Sequence, residues 1–536
     1  MKAEHVLASS PKTDGPSPDG NAALPGTRWG IGPTDPFAVV ALVALAALTF
    51  VPALYLDWTS RIHAIRWPRF FVTTLIVSVV ASLLLVVFTW RRKRSLRAAA
   101  SLTIVTVMVF FLWPLFSTLA LVVDDLIAVP GLGDVVAVGM AMAFLMLTVR
   151  LGREPAFIAM VATALIGWVV FMAGGIALHH SAAPAPAPVS LGEQALDAGA
   201  HTVLFLVLDA YGRADVLDEF YGIDNADFLD ALAKRGFEVA EDARSDYSHT
   251  YASVSSMLAL GPVFEPGPID DRDRSLVRQV LSGDNAMFSA FTAAGYQITV
   301  FQNAWSGSQC GEVVARCVRN GFLRSTVYRL GLLTMLRPIL VDNVPDPFPT
   351  QSLELLQALP DVFTGSSDTP RMVFVHVNVP HAPLQLTRDC GLAVTDTGWN
   401  TFVQQLAPDI VESRSTALRA QMDCVNRLTL RALDALLAFD PEAMVVVTAD
   451  HGPMPFVMDV TPAGVPPSNA IHGRFGILLA TRMPAPCGAG ARTPMNAART
   501  LTDCAAGTLL GQGPTRMMFV PPEEFTGHSV EVELPG

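Results

Sequence analysis

Two residues stand side by side at the end of an apolar run, in VVVTADHG: Asp450 and His451. A second apolar run, LVLDAYG, ends on Asp209, and a third, FVHVNVPHAP, carries His376 and His381. Carboxylates and imidazoles in such a set are donors for a divalent cation, and mixed oxygen and nitrogen ligation suits Zn²⁺ or Mn²⁺, with Mg²⁺ a further option. The stretch SDYSHTYASVSSMLALG, residues 245–261, is dense in hydroxyls and opens a helix-like run. A hydroxyl at a helix N-terminus sits among free backbone N–H groups that favour an anion. Beside a metal, its pKa falls and it becomes a nucleophile. Each piece alone has an ordinary structural reading: a strand-end Asp as a turn residue, a Ser/Thr cluster as a cap, His376 as a core histidine. The combination in this order points to chemistry.

The elements that must position these residues follow from hydrophobic patterning. Strands are expected at 201–212, 297–303, 371–378, 443–450 and 475–481, and helices at 224–235, 284–294 and 409–438. Continuous apolar strands alternating with helices imply a mostly parallel sheet covered on both faces. Ligands bind such sheets beyond the carboxyl ends of the strands. Asp209, His376, His381, Asp450 and His451 would therefore share one rim.

Ahead of this domain, composition changes. The chain of 536 residues is 51% hydrophobic and only 16% charged, against roughly 25% charged in ordinary soluble domains. The excess lies in the first third. Residues 1–35 read as a disordered tail, 36–180 as a transmembrane region of five helices, 181–199 as a Pro/Ala linker, and 200–536 as the catalytic domain. The apolar segments, at 37–56, 70–90, 101–123, 135–149 and 156–178, mostly reach the roughly 20 residues that cross a bilayer. RRKRSLR, at 91–97, marks a cytoplasmic loop, which places the domain after residue 180 outside the cell. The net charge of −12 excludes a basic nucleic-acid footprint. Six cysteines, at 310, 317, 390, 424, 487 and 504, all lie in that outer domain. They suggest three disulfides in an oxidising compartment, with sequential pairing expected.

Together the motifs resemble the alkaline phosphatase/sulfatase superfamily, and within it the membrane-anchored phosphoethanolamine transferases and lipoteichoic acid synthase-like phosphoglycerol transferases. The phosphoethanolamine transferase nucleophile motif is Thr, two residues, Ser-Val, two residues, Met; here Thr250, Ser253, Val254 and Met257 match it. The resemblance implies a five-helix membrane region with an α/β sulfatase-like domain in the periplasm or outside a bacterial inner membrane. It implies Thr250 as nucleophile, with Asp209, Thr250, Asp450 and His451 around the tight metal and His376 and His381 acting on substrate phosphate or a second metal. His472 would be a late ligand and Arg474 a phosphate holder. The implied reaction moves a phospho-headgroup from a membrane phospholipid, through phosphothreonine, to an envelope glycan or lipid. A phosphoester hydrolase using the same site, or a silent protein of the same fold, are the alternatives. Two features depart from the pattern: the first ligand is Asp209 where the transferases usually have Glu, and no sulfatase-type C/S-x-P/A-x-R motif is present.

Overall fold

The computed structural model describes residues 201–303, 309–321, 346–365, 369–393, 408–453, 468–484, 490–520 and 528–533, with a few single positions besides. The expected tail, the linker and the five expected spans lie outside the described residues, apart from positions 139 and 146. Among the described residues no helix is long and apolar enough to cross a membrane.

The chain runs β1 (Val203–Leu208), α1 (Ala214–Tyr221), α2 (Ala226–Ala233), β2 (Glu238–Val239), α3 (Thr250–Ala259), β3 (Gly267–Pro268), α4 (Asp271–Leu281), α5 (Ala286–Ala293), β4 (Gln297–Phe301) and β5 (Val314–Val318). It continues with α6 (Pro347–Ala358), β6 (Arg371–Val377), α7 (Pro408–Phe439), β7 (Met444–Thr448), α8 (Ser468–Phe475), β8 (Leu479–Arg482), α9 (Pro494–Ala506), β9 (Met517–Phe519) and β10 (His528–Val532). The main sheet has the order β2-β8-β7-β1-β6-β4-β5, and a small sheet has the order β3-β10-β9. Strand β1 lies between β7 and β6, parallel to both, with Val207 opposite His376 and Thr448. Every residue of VLFLVL in β1 is fully buried. Such a strand has no polar face, because helices cover both sides. One group, α3, α4, α5 and α9, packs together and against β4 and β7; α1, α2, α6 and α7 form another, with α6 against β6.

The main sheet is mostly parallel, as expected, with one reversed strand among those described: β8 runs antiparallel to β7 and to β2. Apolar patterning carries no direction, so FGILLAT looked like its neighbours. The connection decides the matter. Helix α8 ends at the carboxyl rim, where Gly452 N donates to Arg474 O and Arg213 N to Gly476 O. A strand that starts at that rim can only run back from it.

Three disulfides join Cys310 to Cys317, Cys390 to Cys424 and Cys487 to Cys504, the sequential pairing. The second ties the segment after His381 to α7.

The hydroxyl-rich stretch before α3 is held by its own side chains. Tyr247 is buried; its hydroxyl donates to Phe264 O and accepts from Val263 N and Phe264 N at 2.9–3.0 Å. Ser253 Oγ donates to Tyr247 O, and Ser256 Oγ to Ser253 O. Replacing Tyr247 by Phe strands one buried carbonyl and two buried amides. The expected loss is roughly 3 kcal/mol in a denaturant titration, with faster amide hydrogen exchange at Val263 and Phe264. Unchanged stability and exchange would show that the clamp carries no weight.

Candidate metal and phosphoryl site

Three neighbouring parallel strands end side by side, and the residues that follow them converge. Asp209 leaves β1, His376 is the penultimate residue of β6, and Asp450 and His451 follow β7. His376 Nε2 lies 3.5 Å from Asp209 Oδ2, and His451 Nε2 lies 3.6 Å from Asp209 Oδ1 and 3.4 Å from Asp450 Oδ2. Thr250, the first residue of α3, places Oγ1 3.0 Å from His451 Nε2. His381 joins from the loop after β6: its amide donates to Asp209 O, and its ring meets that of His451 edge to face at 5.8 Å. The structure thus brings Asp209, Thr250, His376, His381, Asp450 and His451 into one cluster.

Two sets in it place one donor atom from each residue within 4.8 Å of the others: Asp209, His381 and His451, and Asp209, His376 and Asp450. Asp209 Oδ1, Asp450 Oδ2 and both ring nitrogens of His376 are buried without a hydrogen-bond partner among the described residues. Buried polar atoms of this kind call for a partner. The unsatisfied atoms are carboxylate oxygens and imidazole nitrogens, a donor set that fits a divalent cation. His451 Nδ1 lies 3.0 Å from Gly452 O, so the ring donates there and leaves Nε2 with its lone pair toward Asp209, Asp450 and Thr250.

The electrostatics are those of two carboxylates in a dry site. Burial would raise Asp209, but His381, with His376 and His451, outweighs it and holds its carboxyl well below the ordinary range. Burial, then the charge of Asp209, pushes Asp450 up to about 6. Burial and the nearby Arg474 lower His451 well below its usual value, so it is neutral.

Backbone geometry sets the positions. Ala210 adopts a left-handed φ of 60°, rare for a residue with a side chain, and its amide donates to Asp450 Oδ1 at 3.0 Å. Gly452 is required by close approach: a Cβ there would meet Gly473 O at 2.3 Å and Gly476 O at 2.7 Å. Arg474 links the motifs, with Nε donating to Ser248 O and Nη1 to Gly452 O.

His472 is not in the cluster. It lies 3.4 Å from Asp215 and 3.5 Å from Glu219 on α1. His472 and Arg474 are two residues apart, about 200° around a helix; α8 turns Arg474 inward and His472 toward α1.

Several residues of the site have no motif in the sequence. Asn378 Nδ2 donates to Asp209 Oδ2 at 3.3 Å. Buried Gln421, on α7, donates to Pro380 O and His381 O and accepts from Gln385 N and Leu386 N, which fixes the His381 loop. His249, the N-cap of α3, stacks on Tyr251, and burial, then Arg474, lowers its pKa to about 3. The only sequence signal was the adjacency of His249 to Thr250; Gln421 sits in an ordinary helical pattern.

No protein-family model and no curated protein matches the sequence. Among solved structures, the chain is similar to the C-terminal periplasmic domain of EptC from Escherichia coli, at 12% identity and TM-score 0.41, over 65% of this chain and 96% of that one. It is similar to the integral membrane lipooligosaccharide phosphoethanolamine transferase A of Neisseria meningitidis, at 14% identity and TM-score 0.38, over 89% of this chain and 99% of that one. A phosphonate monoester hydrolase of Agrobacterium radiobacter is similar at 14% identity and TM-score 0.38, over 58% and 74%. These neighbours are enzymes of the alkaline phosphatase superfamily. Likenesses this distant carry no functional argument, which rests on the residues of the site.

The sign of the pH dependence follows from Asp450. Its folded pKa, about 6, lies above that of an ordinary carboxylate, so its contribution to stability is full at acid pH and is lost as pH rises through 6. Without metal, Asp450→Asn should melt at a higher temperature than wild type at pH 8, the gap closing toward pH 4, and should fail to take up Mn²⁺ or Zn²⁺ by calorimetry. A variant that melts lower at pH 8 would contradict the like-charge account.

Proposed function

We propose that this protein is a metal-dependent phosphotransferase of the alkaline phosphatase superfamily, held in a bacterial inner membrane by the segment 36–180, with its catalytic domain on the outer side. The observation that carries this reading is the Thr250 hydroxyl, 3.0 Å from His451 Nε2 inside a buried cluster of aspartates and histidines. The expected spans and the wholly disulfide-bonded cysteines support the location.

Asp209, Asp450 and His451, with Thr250 beside them, would hold one divalent cation; His376 and His381 stand against the same cluster. When bound, such a cation lowers the pKa of a neighbouring hydroxyl and neutralises charge on phosphoryl oxygens. Thr250 acts as nucleophile. Its Oγ1 bonds to the phosphorus of a phospholipid headgroup as the bond from phosphorus to the diacylglycerol oxygen breaks. The first amides of α3, which have no partners within the helix, face the same region and favour negative charge there. His381 protonates the departing oxygen from the loop after β6, where its Nδ1 lies 2.7 Å from Ala382 O. Arg474, fixed by Ser248 O and Gly452 O, steadies the phosphoryl oxygens. An envelope glycan or lipid hydroxyl then takes the phospho-headgroup, such as phosphoethanolamine or phosphoglycerol, and Thr250 is restored.

The test is mass spectrometry on purified full-length protein with Mn²⁺ or Zn²⁺ and mixed phosphatidylethanolamine and phosphatidylglycerol vesicles. Wild type should release diacylglycerol and carry a headgroup mass on the peptide containing Thr250. Thr250→Ala should lose at least about a thousandfold in rate. No lipid consumption, with Thr250→Ala indistinguishable from wild type, would sink the transferase reading.

A further inference from the structure

Within the cluster, His381 stands farthest from a regular element. It lies beyond the end of β6 at Val377, whereas Asp209 follows β1 directly, His376 lies inside β6 and Thr250 opens α3. Strand register cannot place it. Its amide donates to Asp209 O, and the loop that carries it, 380–393, closes as a small hairpin. Leu386 pairs with Leu392, Ala393 N donates to Gln385 O and Thr387 N to Gly391 O. The same loop forms one wall of the cleft where Tyr221, Arg414 and Arg474 meet.

Successive turns of α7 hold this loop. Gln421 is fully buried. Its Nε2 donates to Pro380 O and His381 O, both at 3.0 Å, and its Oε1 accepts from Gln385 N and Leu386 N, both at 3.1 Å. A side-chain amide has two donor hydrogens and an oxygen with two lone pairs, so the whole capacity of Gln421 is engaged with the loop. Cys424, three residues on and also buried, lies on the same face of the helix. It is bonded to Cys390, with the two Cα atoms 5.2 Å apart. Arg427, a turn beyond, donates Nη2 to Arg388 O at 2.7 Å. The other two disulfides, Cys310–Cys317 and Cys487–Cys504, lie on segments without a residue of the cluster. An apolar side chain in place of Gln421 would strand two carbonyls and two amides of the loop, which would then shift toward other partners.

We propose that Gln421 and the Cys390–Cys424 bridge are positioning residues for His381: through them α7 seats the loop so that the imidazole meets the oxygen leaving phosphorus. The inference rests on the phosphotransferase reading and deepens it. The bridge belongs to the working parts of the site, and its role differs from that of the other two disulfides.

Double-mutant cycles test it. The rate is kcat for diacylglycerol release from mixed phosphatidylethanolamine and phosphatidylglycerol vesicles by the Mn²⁺-loaded full-length protein, below the melting temperature of every variant. Gln421→Met should lower kcat on the order of a hundredfold, the effect of moving a reacting group by about 1 Å. The paired change Cys390→Ala with Cys424→Ala should lower it in the same way. Neither should slow His381→Ala any further, because the placement of an imidazole that is absent cannot be lost. The pair Cys487→Ala with Cys504→Ala is the control, and whatever rate it loses should multiply with the loss in His381→Ala. Calorimetry should show Gln421→Met taking up Mn²⁺ as wild type does. Losses that multiply in the Gln421 cycle overturn the inference, and so does loss of Mn²⁺ uptake, which marks a general collapse. Where Gln421→Met does not fold, the Cys390 and Cys424 pair decides by the same rule. A full rate in His381→Ala beside a slow Gln421→Met overturns the inference and leaves the phosphotransferase reading standing. No lipid consumption by wild type removes both.

Discussion

Two carboxylates, Asp209 and Asp450, are buried within one cluster at the ends of adjacent strands. Neither can be charged there without a partner, because taking a carboxylate out of water is costly and a like charge beside it adds to the cost. Three imidazoles are the protein's own answer, and they are incomplete: one oxygen of each aspartate and both nitrogens of His376 stay unsatisfied. The arrangement is unstable as a protein core and reasonable as a receptor for a dication. Thr250 is held against the same cluster, with Oγ1 3.0 Å from His451 Nε2.

The fold spends rigid parts on holding this arrangement. The three strands come from the buried centre of the sheet, where backbone register leaves little freedom. The left-handed turn at Ala210 points an amide at Asp450. Gly452 lets the end of α8 lie against the residue after His451, and Arg474 then closes the gap between the loop before Thr250 and the loop after His451. Gln421 does the corresponding service for His381 from α7. The residues of the candidate cation site are thus supported by elements distant in the chain, through hydrogen bonds.

Much of this was legible in the residues. Apolar runs ending in Asp or His marked the strand ends, because buried strands have no other reason to terminate in chargeable groups. The hydroxyl-rich stretch marked the start of α3, and its spacing singled out Thr250 through the family resemblance. The structure separates the hydroxyls physically: Ser245, Ser253 and Ser256 donate to backbone carbonyls, whereas Thr250 faces the cluster. The direction of β8 was not legible, since apolar patterning is blind to polarity. His472 misled for a related reason. Residues two apart on a helix face different ways, and only the orientation of α8 tells which of His472 and Arg474 points inward.

Composition and pattern by themselves determined that the apolar excess lies in the first third, that every cysteine lies beyond it, and that strands alternate with helices in the later part of the chain. These properties are local or additive, so each can be read from a short stretch. The tertiary structure alone decided the members of the cluster, the support from Asn378 and Gln421, and the cleft where Tyr221, Arg414 and Arg474 meet. Those residues are separated by up to 265 positions and carry no common pattern. Their juxtaposition exists only because packing brings the ends of α1, α7 and α8 to one rim.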